Sequence, residues 1–151
     1  MALLGEEAVV RYEPTGAEVQ TLVLSASGWL LQWRSDGRWR ELSDAQHESE
    51  VDGSQQPLED EWVRWSGTFD RQAKGGARWD GVATWWLLYG ELPEDSTPIV
   101  VLADGQRPAV LQVGKVWACE WVSIAQPATL HLAGEQITFP FTEPFYRRDL
   151  G

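Results

Sequence analysis

An all-β fold is predicted by three observations. Apolar and polar residues alternate in runs of strand length. Turn residues recur between the runs at roughly 8–12-residue spacing. No segment sustains a helical period. Together they suit a two-sheet β-sandwich, Ig-like or jelly-roll-like, of roughly seven to ten strands with little helix; a small, partly open barrel is the alternative. The chain has 151 residues, a length that suits one domain able to bury a core without staples.

The strands are read in chain order. Residues 18–24 and 29–34 are rich in Val, Leu and Trp. The turn Ser35-Asp36-Gly37 leads into residues 38–42; Asp-Gly between alternating runs is a hairpin signal, because Gly tolerates positive φ. Residues 62–69 are expected to form a further strand, although acids gathered near the start of 57–65 also allow one or two helical turns. Strands follow at 82–89, 98–103 and 107–113, the last two joined at Asp104-Gly105. Gly114-Lys115 opens the strand 116–123, and Gly134-Glu135 joins 128–133 to 136–141.

Three stretches read as irregular. Residues 43–61 form an acidic loop without a single base, residues 70–81 a basic loop, and residues 142–151 an extended tail.

The chain holds ten tryptophans, far above the ordinary share. Side chains alternate between the faces of a strand, so Trp29 and Trp33 share a core face with Leu31, opposite the wetter Leu30, Gln32 and Arg34. In 82–89 and 116–123 neither face is polar. One pair of sheets cannot cover both faces of these strands; a loop, the tail or another molecule must help, and a homodimer is one way to do it. Trp39, Trp62, Trp65 and Trp79 flank loops and are expected to form an exposed aromatic patch, the mark of an interaction site when contiguous.

Charge narrows the function classes. There are 23 acids and 12 bases, for a net charge of −11. The excess lies early, with thirteen acids against four bases in residues 1–61. Such a surface repels nucleic acid, whose phosphates need Lys and Arg. It suits a basic protein partner. No run approaches the roughly 18 apolar residues of a membrane helix, and no secretory signal opens the chain. Cys119 stands alone and forms no internal disulfide. These points lead to the expectation of a cytoplasmic protein with no membrane or direct nucleic-acid partner.

Catalytic motifs are missing. His47 and His131 sit in no metal or triad pattern, and Cys119 lies in an apolar strand without nearby positive charge. Glu120, between Ala118 and Val122, is the odd carboxylate; it reads as a satisfied buried ion pair or a rim position, and forms a paired polar cluster if His131 or Arg107 lies across from it. Residues 48–59 place Glu48, Glu50, Asp52, Gly53, Ser54, Gln56 and Glu59 at calcium-loop spacing. Pro57 interrupts that loop and no helices flank it, so no metal or other cofactor is assigned.

The expected function is a non-enzymatic protein–protein interaction module, an accessory or inhibitor-type subunit whose acidic face binds a basic partner. Its site residues are Trp39, Trp62, Trp65 and Trp79 with Glu48, Glu50, Asp52, Glu59, Asp60 and Glu61. A carbohydrate or small-ligand module using exposed Trp is the first alternative, and a carboxylate-based hydrolase the second.

Overall fold

The computed structural model describes residues 8–12, 18–67, 71–75, 81–93 and 96–141. The chain opens with strands β1 (Ala8–Tyr12), β2 (Glu18–Val23), β3 (Trp29–Arg34) and β4 (Arg38–Ser43). Helix α1 (Asp44–Val51), a 3₁₀ turn (Glu59–Glu61) and the short β5 (Val63–Arg64) follow. These five strands make one antiparallel sheet in the order β1-β2-β3-β4-β5, called sheet A here. Next come β6 (Arg71–Gly75), β7 (Thr84–Glu91), β8 (Ile99–Leu102), β9 (Val110–Val113), β10 (Val116–Ser123), β11 (Ala128–Leu132) and β12 (Glu135–Phe139). They divide between sheet B, ordered β6-β7-β10-β9, and sheet C, ordered β12-β11-β8.

Local turn chemistry sets the register. Gly37 takes φ +89° and donates its N–H to the Arg34 carbonyl at 2.9 Å, which places Trp33 opposite Trp39. Gly114, at φ +55°, turns β9 into β10. A Cβ at Gly114 would run into the indole of Trp33, so this turn needs glycine for space as well as for its backbone angle.

The fold is all-β and sandwich-like, but it has three layers where the sequence suggested two, and twelve strands among the described residues. Sheet B is the middle layer. Its Trp86, Leu88, Trp117, Cys119 and Trp121 pack against Val100, Leu102, Ala128, Leu130 and Leu132 of sheet C. Its Leu87, Tyr89, Leu111, Val113, Val116 and Ala118 pack against Leu22, Leu24 and Leu31 of sheet A. This arrangement accounts for the two-faced apolar strands: β7 and β10 are covered by a sheet on each side. A strand buried on both faces loses the alternation that marks a half-buried one.

Two further differences have local causes. The basic stretch 70–81 contains an edge strand, β6, whose small Ala73 and Gly75 let the sheet close over Leu88 and Trp86. The acidic stretch 43–61 contains α1 instead of being loop throughout. Ser43 caps that helix, its hydroxyl accepting the Gln46 N–H at 3.1 Å, and Asp44 sits in the first turn. No apolar side chain of α1 is buried, so no apolar stripe announces it. No helix among the described residues is long and apolar enough to cross a membrane.

Candidate interaction face

Sheet A has one apolar face, turned to sheet B, and one mixed face turned outward. The outward face carries Val19, Thr21, Leu30, Gln32, Arg34, Arg40 and Leu42, all of them buried. The acidic segment lies over the β3–β4 part of this face: α1 packs on β3 and β4, and Trp62 lies over the arginines. Gln32 and Arg34, which read as the wetter side of β3, are therefore less exposed than the half-buried Trp29 and Trp33.

A continuous polar network fastens this cover. Gln32 donates to the Thr21 hydroxyl at 3.1 Å and accepts from Arg40 Nε at 2.8 Å. Arg40 then forms a two-pronged pair with Glu50 and a further bond to Glu61 Oε1 at 2.9 Å. Gln46 also donates to Glu61, at 3.1 Å. Arg34 grips Glu59 with two N–H donors, at 3.1 and 2.7 Å, and Asp36 with two at 2.9 Å. Two-pronged guanidinium–carboxylate pairs are the strong form of the ion pair.

Trp62 lies over both guanidiniums. The Arg34 and Arg40 carbons are each 4.7 Å from its ring centroid, close enough for cation–π attraction from both. The charges reinforce one another. Hydrogen bonding from Arg34 holds the Glu59 and Asp36 carboxyls below their ordinary range, and the Glu59 and Asp36 carboxylates raise Arg34 in return.

Each expected site residue has a definite place. Glu50, Glu59 and Glu61 point inward to Arg34 and Arg40. Glu48, Asp52 and Asp60 are exposed and pair with no base among the described residues, as is Asp44. Trp62 is buried at 6% exposure and so is not part of an exposed patch. Trp39 and Trp65 are half-buried. Trp79 lies outside the described residues. Among the described tryptophans none is fully exposed, so the expected contiguous aromatic patch is not seen there. The exposed large apolar side chains of this region are aliphatic instead: Val51, Leu58 and Val63.

No family model matches the chain, and no curated protein or solved structure matches it significantly. The geometry therefore carries the functional argument alone.

Two buried carboxylates have structural work. Glu91 accepts from Trp39 Nε1 at 2.7 Å and from the Ser66 and Gly67 N–H groups at 2.9 and 3.0 Å. Burial opposes its ionisation, but these bonds outweigh that effect and hold its carboxyl below the usual range. No motif in the sequence marked Glu91, since its donors come from β4 and from the residues after β5, far away in the chain. Glu120 does not meet His131 or Arg107; its two oxygens accept the Ala26 and Ser27 N–H groups at 3.1 and 2.7 Å, tying the β2–β3 turn to sheet B. Cys119 is fully buried, and burial followed by the Glu120 charge pushes its thiol up to about 12, so it is no nucleophile at neutral pH.

The residues at calcium-loop spacing do not converge. Glu50 and Glu59 are taken by different arginines, and the described residues hold no cluster fit for a metal ion. A cleft of about 500 Å³ lies beside Trp65, between Pro93, Thr97, Gln112 and Lys115. The Lys115 ammonium sits 4.6 Å over the Trp65 ring, so a sugar stacking on that face must displace it.

Proposed function

We propose that this protein is a non-enzymatic interaction module whose acidic segment, residues 44–64, docks a basic protein partner. The observation that carries the reading is the division of labour among its carboxylates. Three are bonded inward and fix the segment on sheet A. Asp44, Glu48, Asp52 and Asp60 remain exposed and without a base among the described residues. An array of unpaired charge on one segment steers a partner of opposite sign. Val51, Leu58 and Val63, each more than half exposed, lie on the same segment and supply apolar contact. The chain's net charge of −11 adds a long-range field of the same sign.

The test is capture from a host lysate at low and at high salt, with the wild type and the D44N/E48Q/D52N/D60N variant. The reading expects a basic protein retained by the wild type, released by salt and lost by the variant. Retention that ignores both salt and the four substitutions removes it.

A further inference from the structure

The acidic segment is attached to sheet A unlike any other part of the molecule. Helix α1 buries no apolar side chain; its one inaccessible side chain is Glu50, paired with Arg40. Residues 51–60 are all exposed. The segment's one deeply buried apolar side chain is Trp62, and its ring rests against two guanidiniums. Its β-pairing is limited to Val63 and Arg64 against Trp39 and Arg38. Charge therefore carries most of the closure, through Glu59 on Arg34 and through Glu50 and Glu61 on Arg40. Glu59 and Glu61, at 72% and 31% exposure, are open to salt and to exchange for other ions, whereas the Glu50–Arg40 pair is screened only once the segment lifts. Elements with few buried apolar contacts open locally, at lower free energy than the global fold.

We infer that residues 44–64 form a releasable strap, and that a basic partner opens it by taking Glu50, Glu59 and Glu61 from Arg34 and Arg40. Trp62 then leaves the two guanidiniums and becomes the partner's buried anchor. The inference rests on the acidic-face reading and deepens it. The exposed Asp44, Glu48, Asp52 and Asp60 make the first contact, and the three inward carboxylates make the second. The partner's chemistry follows from what it replaces: arginines, whose planar forks match the two-pronged geometry that Arg34 and Arg40 now satisfy. An opened strap uncovers Gln32, Leu30 and Leu42 on the floor of sheet A.

Amide hydrogen exchange on the full chain tests the strap without any partner. Raising NaCl from 0.05 to 1 M is expected to speed exchange in α1 and β5 at least tenfold while β7 and β10 stay unchanged. The variant E50Q/E61Q is expected to show fast strap exchange already at low salt. Since these substitutions leave Arg40 without its carboxylates, E59Q, at a side chain 72% exposed, serves as the milder second variant, with a smaller increase confined to the strap. Strap exchange that follows β7 and β10 under every condition overturns the inference. A nona-arginine peptide added at low salt separates the two readings. Binding with faster strap exchange supports both. Binding with unchanged strap exchange overturns the strap and leaves the acidic face standing. Salt-sensitive opening without any peptide binding supports a releasable strap and overturns its capture by arginine.

Discussion

The interface between sheets B and C and the interface between sheet A and its strap bury side chains by opposite means. Between B and C, Trp117, Cys119 and Trp86 meet Leu130, Leu132 and Phe141 in a cluster of apolar side chains among the described residues. Beneath the strap, Arg34 and Arg40 are nearly as inaccessible, at 6% and 4% exposure, yet each is surrounded by carboxylates. Apolar burial needs no particular partner and hardly responds to salt or pH. Buried arginine is tolerated only while its carboxylates stay in place. One end of the molecule is thus permanently closed, and the other is closed conditionally.

The sharpest way to probe the contrast is to damage each side alone. Trp117→Ala removes a fully buried indole between B and C. The expected loss is about 3–5 kcal/mol in urea unfolding, the same at low and high salt. A loss that shrinks in salt would erase the distinction. Arg40→Met attacks the other side, where the Arg40 and Glu50 side chains are only 3% and 4% exposed. Breaking a sealed pair costs roughly 3–5 kcal/mol. Because the strap can lift and let Glu50 rehydrate, about 1–2 kcal/mol is expected here, below that sealed-pair figure and falling toward zero in 1 M salt. A full, salt-independent loss would show that the strap is sealed.

Glu120→Ala tests the tie between sheets A and B. It leaves the Ala26 and Ser27 N–H groups without their acceptor, but Ala26 is exposed and water replaces part of the bond. A loss of about 1 kcal/mol is expected, with the strap's exchange unaltered. Acidification gives the gentlest comparison. Asp36 and Glu59, bonded to Arg34, and Glu91, bonded by backbone N–H groups, have folded-state pKa values below their unfolded ones. Their contribution is present at neutral pH and is lost as pH falls through the depressed values. In a titration from pH 7 to pH 3, followed by exchange, strap amides should lose protection before those of β7 and β10. Simultaneous loss would argue for a single cooperative unit.

How much of this was legible beforehand depends on the length scale of each signal. The strands 29–34 and 116–123 were read to the residue, because β-branched and aromatic runs bounded by Asp-Gly or Gly-Lys are local signals. The edge strand β6 was hidden, because Arg71, Gln72 and Lys74 resemble loop residues and only pairing with β7 makes them a strand. Helix α1 was hidden because it lacks an apolar stripe; its one local sign was Ser43 three residues before Gln46, a capping pattern. The tryptophans were sorted by strand period, which works only where a strand is paired. Trp62 precedes the two-residue β5, and its burial comes from arginines 22 and 28 positions earlier in the chain.

The sequence by itself determined that the chain is all-β, where its main hairpins turn, and that its acids concentrate in residues 41–61. These follow from backbone preference, side-chain alternation and composition, which act over a few residues. Tertiary structure alone decided that a third sheet covers the second face of β7 and β10, and that three of the acidic segment's carboxylates, Glu50, Glu59 and Glu61, are spent on Arg34 and Arg40. Both are contacts between segments distant in the chain, and no local pattern encodes which carboxylate a buried guanidinium will meet.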